Sequence, residues 1–253
     1  MDLAKLRHIA VMVLLLTGCA TAHAQDNDMI LNRPYADAKM FHYGFSVGMN
    51  FQNLAFTNNG TITNDGTITN DGDEWYADVA ANSPGFSVNV LADYRIAEHF
   101  NLRVFPGLYF GNKVVRYQNH LGNPEKPDSY KQKQNIKSTY IVLPVDLKMS
   151  AKRYHNMRPY FTTGLMYTRD LAKDRSGLPR LKSNDLMLTV GMGCDFYMQF
   201  FKLCPEIKFC FGLKDLLERN RTDLQEDDIY WLRFTESVDK VKSNMVVVTF
   251  FFE

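Results

Sequence analysis

Eight separate stretches of this chain alternate apolar residues with polar residues or glycine at a period of two, the spacing of a β-strand whose two faces meet different surroundings. The first, residues 41–51, sets Phe41, Tyr43, Phe45, Val47, Met49 and Phe51 against His42, Gly44, Ser46, Gly48 and Asn50. The second, 85–96, sets Phe86, Val88, Val90, Ala92, Tyr94 and Ile96 against Ser87, Asn89, Asp93 and Arg95, with Leu91 as the exception. The third, 100–111, sets Phe100, Leu102, Val104, Pro106, Leu108 and Phe110 against Asn101, Arg103, Gly107, Tyr109 and Gly111. The pattern returns over 138–149, 158–168, 186–197 and 202–213, and the eighth stretch, 244–252, is apolar on both faces.

An even number of such strands, greasy on one face, small or polar on the other and aromatic near the ends, predicts a transmembrane β-barrel. Closing the sheet removes the two edges that lipid would leave unpaired. A soluble sandwich or lipocalin-like barrel would turn the apolar face inward and show water a face rich in Lys, Glu and Thr. Here the second face carries glycines, small polar groups and a few charges of both signs, which suits the crowded inside of a narrow barrel.

Connection lengths point the same way, since outer-membrane barrels have short periplasmic turns and longer outer loops. The turns fall at 97–99, 150–157 and 198–201, and the long connections at 52–84, 112–137, 169–185 and 214–243. The expected fold is therefore all-β, an eight-stranded antiparallel transmembrane barrel over residues 41–253 with both termini periplasmic. Its last strand ends in an aromatic residue, Phe252, a feature that barrel-insertion machinery is expected to read.

The start of the chain agrees. Lys5, Arg7 and His8 form a positive region, 9–16 is apolar, and Ala22-His23-Ala24 makes a small-x-small cleavage pattern, so 1–24 reads as a signal peptide. Residues 25–40 then form a periplasmic N-terminal segment. Leu16-Thr17-Gly18-Cys19 also resembles a lipobox, which would make a lipidated Cys19 the first mature residue; cleavage after Ala24 is favoured. No later run approaches the roughly 18 to 20 apolar residues of a membrane-spanning helix.

Composition removes several function classes. With 45% apolar residues, 15 Gly and 9 Pro, neither disorder nor a collagen-like repeat is expected. Lys plus Arg number 29 and Asp plus Glu 28, and loss of Asp2, Lys5 and Arg7 with the signal peptide leaves 27 of each, so no basic field exists to hold nucleic acid. Cys194, Cys204 and Cys210 are the later cysteines. Cys204 and Cys210 lie on one expected strand about 20 Å apart, too far for a disulfide, and read as small apolar fillers.

Catalytic and metal-binding motifs are absent: no zinc-spaced set, nucleotide loop, nucleophile elbow or Cys-x-x-Cys occurs, and the six histidines are scattered. No enzyme activity, cofactor or small-molecule substrate is expected. The tandem repeat Gly-Thr-Ile-Thr-Asn-Asp at 60–65 and 66–71 carries calcium-compatible oxygens but reads first as a loop extension built on turn residues. Eight charges fall on the inward faces, Asp93, Arg95, Arg103, Asp146, Lys148, Asp195, Glu206 and Lys208, and their four-against-four balance predicts a lumenal salt-bridge network. A proton or ligand path through them is the sharper alternative.

The expected outer loops differ in sign. The first carries Asp65, Asp71, Asp73, Glu74 and Asp78 without a cation, the second and third are basic, and the fourth is mildly acidic with Glu226, Asp227 and Asp228. A rim acidic on one side and basic on the other follows, unless the loops pair with each other or are simply solvated. In the fourth, Ile229-Tyr230-Trp231-Leu232 is an apolar cluster suited to covering the mouth or docking a partner.

Leu31-Asn32-Arg33-Pro34-Tyr35-Ala36-Asp37, followed by His42-Tyr43-Gly44-Phe45-Ser46-Val47-Gly48, resembles the opening of PorT-like proteins of Bacteroidota, and the similarity continues through Leu143-Pro144-Val145-Asp146-Leu147-Lys148 and Arg158-Pro159-Tyr160. The resemblance implies an outer-membrane barrel required for the type IX secretion system, with no catalytic residues. Partners would then be membrane lipids and other outer-membrane or periplasmic secretion components, met through 25–40 and the outer loops. Asn32, Arg33, Pro34, Tyr35, Tyr230 and Trp231 are the candidate contacts. The alternative is a stand-alone small barrel for adhesion, envelope integrity or ligand binding.

Overall fold

The structure is a computed structural model that describes residues 31–58, 75–81, 83–119, 131–171, 182–217 and 238–253, with backbone alone at 56, 58, 75–81, 83, 113–119, 131–137 and 238–239. Asn32–Glu253 is one compact unit, and of the other, Met1–Leu31, only Leu31 is described. The signal peptide with Cys19, the repeat at 60–71 and the Tyr230-Trp231 cluster lie outside the described residues.

Among the described residues, ten strand segments follow a 3-10 turn at Ala36–Ala38: β1 Phe41–Asn58, β2 Trp75–Ala81, β3 Ser83–Arg95, β4 Phe100–Val104, β5 Gly107–Asn119, β6 Lys131–Ser150, β7 Met157–Asp170, β8 Asn184–Tyr197, β9 Lys202–Gly212 and β10 Val238–Phe252. They make eight staves, because β2 with β3 and β4 with β5 each continue one line through the sheet. Every pairing is antiparallel, and the sheet closes where β1 lies between β10 and β3, Phe45 opposite both Phe252 and Val90. The barrel has no free edge at that level, as lipid requires.

The gap between β4 and β5 is chemical and involves no slip of register. Ala92 faces Val104 and Asn89 faces Gly107 on one count, and Pro106 between them has no N–H to give. Its carbonyl still accepts from the Val90 amide at 3.0 Å, while Phe105 turns into the lumen.

Three connections are short, 96–99, 151–156 and 198–201, and alternate with longer ones. The strands outrun the expected ones at the long-loop end. β1 continues to Asn58, and β5 and β6 pair from Gly111 opposite Ser138 out to Gln118 opposite Lys131. The greasy alternation marks only where a strand touches lipid, whereas the backbone ladder needs no apolar face. Parts of the expected loops 52–84, 112–137 and 214–243 are therefore strand.

The faces divide as the alternation predicts. Tyr43, Phe45, Met49, Phe86, Val90, Ile141, Leu143, Leu165, Met192 and Ile207 stand exposed on the outer wall, an apolar surface far larger than water tolerates. Among the described residues no helix is long and apolar enough to cross a membrane; the crossing is made by strands. The lumen is filled in layers. Nearer the short turns Leu91, Phe105, Tyr160, Cys204 and Phe251 pack among charges, and above them Tyr109, Tyr140, Val142, Met166, Met187, Cys210, Met245 and Val247 form an apolar septum. Leu91, the exception in its strand's pattern, is part of the lower layer, and Cys204 and Cys210 are free, buried fillers. Glycine is needed where a ring crosses the lumen: a Cβ on Gly193 would stand 2.5 Å from the ring and hydroxyl of Tyr160, its register partner.

Candidate functional site

The inward charges collect on the halves of the staves nearest the short turns. Arg103 on β4, with no exposed surface, donates from Nε to Asp93 at 3.2 Å, from Nη1 to Glu206 at 3.2 Å and from Nη2 to Glu253 at 3.0 Å. Its guanidinium lies between the rings of Phe251 and Tyr160, 4.6 and 5.3 Å from their centroids. Asp93 is its neighbour on β3, but Glu206 and Glu253 reach it from the opposite wall, so one side chain ties β3, β4, β9 and the end of β10 together.

Two lysines complete the bracing. Lys148 on β6 holds Asp195 on β8 at 2.7 Å, and Lys208 on β9 holds both Asp146 on β6 and Glu206, the latter at 2.9 Å. Asp146 also accepts from the Thr189 hydroxyl at 2.8 Å. Lys202 joins Glu253 and lies 3.9 Å from Asp195. Each charge of this network has an opposite charge within reach, the condition under which burial is tolerable.

The short-turn mouth is covered by the segment that precedes β1. The Asn32 amide donates to Asn156 at 2.9 Å and its side chain to the Tyr197 carbonyl at 3.0 Å, while Arg33 reaches the Glu253 carbonyl at 3.1 Å. Arg153 donates to the carbonyls of Asn32 and Arg33. Ala36 is buried, and the Asp37 carboxylate accepts from the Tyr197 hydroxyl at 2.6 Å and lies 3.3 Å from Arg158 Nη1.

The family model for the outer membrane protein beta-barrel domain matches residues 23–218, more than three quarters of the chain. The protein belongs to this outer-membrane β-barrel family. No curated protein matches it. Among solved structures it is similar to the outer membrane protein OprG from Pseudomonas aeruginosa, at 15% identity over 84% of this chain and 92% of that one with a TM-score of 0.43. It is also similar to Neisserial surface protein A, at 12% identity over 84% and 98% with a TM-score of 0.40. A third is Ail, the attachment invasion locus protein of Yersinia pestis in complex with sucrose octasulfate, at 9% identity over 85% and 99% with a TM-score of 0.37.

In this outer-membrane barrel, seven of the eight charges read from the alternation sit in the network. The eighth, Arg95, is at the mouth, where its Nε donates to the Ala97 carbonyl at 3.4 Å. Lys202, Glu253 and Arg158 were missed, although each shares the parity of a residue already placed inside: Lys202 with Glu206, Glu253 with Phe251, Arg158 with Tyr160. Of the candidate contacts at the start of the segment, Asn32 and Arg33 are engaged by the barrel's own rim, while Pro34 and Tyr35 are exposed.

The lumen is braced and closed. Among the described residues, the eight side chains of the septum are at most 7% exposed, so they leave no water-lined path through that layer. Reconstituted in a planar bilayer, the folded barrel is expected to show no steady single-channel conductance; a stable ohmic channel of constant size would contradict the closed septum. Among the described residues the imidazoles of His42 and His99 are bonded to the backbone carbonyls of Ala36 and Ser150, at 2.8 and 3.0 Å.

Proposed function

We propose that this outer-membrane barrel is a non-enzymatic assembly or accessory component of protein export by the type IX secretion system, with its termini and short turns on the periplasmic side. The observation that carries the general part is the filled lumen: apolar septum above, cross-braced charges below. A barrel closed in this way acts through its two rims and not through a pore. The type IX assignment rests on the resemblance at Leu31–Asp37, His42–Gly48, Leu143–Lys148 and Arg158–Tyr160.

The experiment is deletion of the gene in the native host, with quantitative proteomics of proteins that bear type IX sorting domains in medium and periplasm. Accumulation of these cargo proteins in the periplasm, reversed by the wild-type gene, is the expected result. Unchanged export would overturn the secretion role. It would leave the reading favoured by the opposite signs of the first and second outer loops, a stand-alone surface barrel that works through them.

A further inference from the structure

At the covered mouth Arg158, Arg153 and the Tyr197 hydroxyl converge on one carboxylate, that of Asp37. Arg158 is held by the barrel itself: its Nε donates to the Ala151 carbonyl at 2.8 Å and its Nη2 to the Glu98 carbonyl at 2.7 Å, on two different short turns. That leaves Nη1, which points at Asp37. Arg153 is likewise fixed, stacked 3.6 Å from the Tyr197 ring centroid and bonded to the His155 carbonyl at 2.8 Å. The Tyr197 hydroxyl aims at the same carboxylate. Arg158 keeps both of its hydrogen bonds to the short turns when residues 32–37 leave, whereas Arg153 loses the Asn32 and Arg33 carbonyls and the Asp37 carboxylate 3.9 Å away but keeps Tyr197 and its own turn, so the cationic seat persists chiefly through Arg158.

His42, Arg95, Lys148, Arg158, Asp195 and Lys202 line this pocket together with Asp37, whose segment serves as its lid. Lys148 and Lys202 are engaged by Asp195 and Glu253, within the lumen. Among the described residues, Asp37 is the ion-pair partner of Arg158, and the buried Nδ1 of His42 has no hydrogen-bond partner. Removing the lid therefore uncovers a surplus of positive charge. The lid itself is held in part by a strained residue: Arg33 has φ of 51°, a left-handed conformation unfavourable for a residue with a Cβ.

We propose that the short-turn mouth is a carboxylate-binding site, occupied in this state by Asp37 as a tethered ligand, and that an acidic segment of a partner polypeptide docks there by displacing residues 32–37. It is independent of the type IX reading, since it requires only the barrel and its mouth. Tethering places Asp37 at a high local concentration, on the order of millimolar for a short linker, so a lone carboxylate competes poorly and a multivalent acidic segment competes well.

The test uses the full chain folded in detergent micelles and a fluorescein-labelled hexapeptide of aspartate, read by anisotropy at low ionic strength. Asp37→Ala is expected to bind the peptide about tenfold or more tightly than wild type, because the tethered competitor is gone. Adding Arg158→Gln to Asp37→Ala should return the affinity to the wild-type level, and adding Tyr197→Phe, which keeps the ring under Arg153, should weaken it severalfold. Retained mobility of the folded barrel on unheated gels confirms that each variant is folded; should Arg158→Gln not fold, Tyr197→Phe carries the comparison. Equal peptide affinity in wild type and Asp37→Ala would overturn the proposal. So would a gain that survives the second substitution, which would mark plain attraction to a basic surface.

Discussion

Replacing Arg103 with Leu is expected to cost this barrel about 3–5 kcal/mol, the range for breaking a buried ion pair from one side. The size follows from what is stranded. Glu206 keeps Lys208 and Glu253 keeps Lys202, but Asp93, with no exposed surface, keeps the Asn101 amide as its one direct partner among the described residues, with Lys148 and Lys202 attracting it only from farther off. The loss is therefore chiefly one uncompensated carboxylate, not three. A second substitution separates that cost from the loss of bracing: Asp93→Asn in the Arg103→Leu background should recover part of the stability, because a neutral amide is cheaper to bury than a carboxylate without a cation. Urea titration in micelles, followed by the mobility difference between folded and unfolded barrel, measures both. A change below about 1 kcal/mol for Arg103→Leu would mean that water reaches the network and screens it.

Much of this arrangement could be read before any coordinates, and the boundary between the legible and the illegible is physical. Period-two patterning reports which environment a side chain meets, so it placed Asp93, Arg103, Asp146, Lys148, Asp195, Glu206 and Lys208 inside, all of which are buried there. It does not report partners. Arg103 and Asp146 are register neighbours, yet Arg103 pairs across the lumen with Glu206 and Glu253, and Asp146 with Lys208. Those choices depend on barrel closure and on where Phe251 and Tyr160 leave room, information that no single strand contains. Lys202 and Arg158 had the right parity but lie at strand ends, where alternation has too few residues on one side to be trusted.

The segment at 32–37 was illegible for a different reason. It docks through backbone carbonyls taken by Arg153, through the Asn32 amide and through one carboxylate, and buries a single small side chain, Ala36. None of these leaves a hydrophobic period. The strand extensions beyond the lipid band, such as β5 and β6 from Gly111 to Gln118 and Lys131 to Ser138, escaped for the same cause: hydrogen-bonded ladders in water carry no greasy face to betray them.

The outer wall makes a prediction of similar size that also decides which side of the sheet meets lipid. Val90 is the middle of the outward apolar set on β3, flanked by Phe86 and Val88 on one side and Ala92 and Tyr94 on the other, and is 66% exposed. Val90→Lys is expected to destabilise the barrel in lipid by about 2–4 kcal/mol, the cost of a cation on the lipid face near the bilayer midplane. Asn53→Lys, also outward on β1 but past the end of the apolar band, should cost only about 0–1 kcal/mol. Were the same exposed face turned toward water, as on a soluble barrel, both lysines would be nearly neutral, since surface substitutions generally lie within about 0.5 kcal/mol. The contrast between the two positions is thus the informative quantity, measured by urea unfolding in lipid vesicles. Inside the lumen the sign inverts: lysines at 148 and 208 are held by Asp195, Asp146 and Glu206, so the same side chain that breaks the barrel from outside braces it from within.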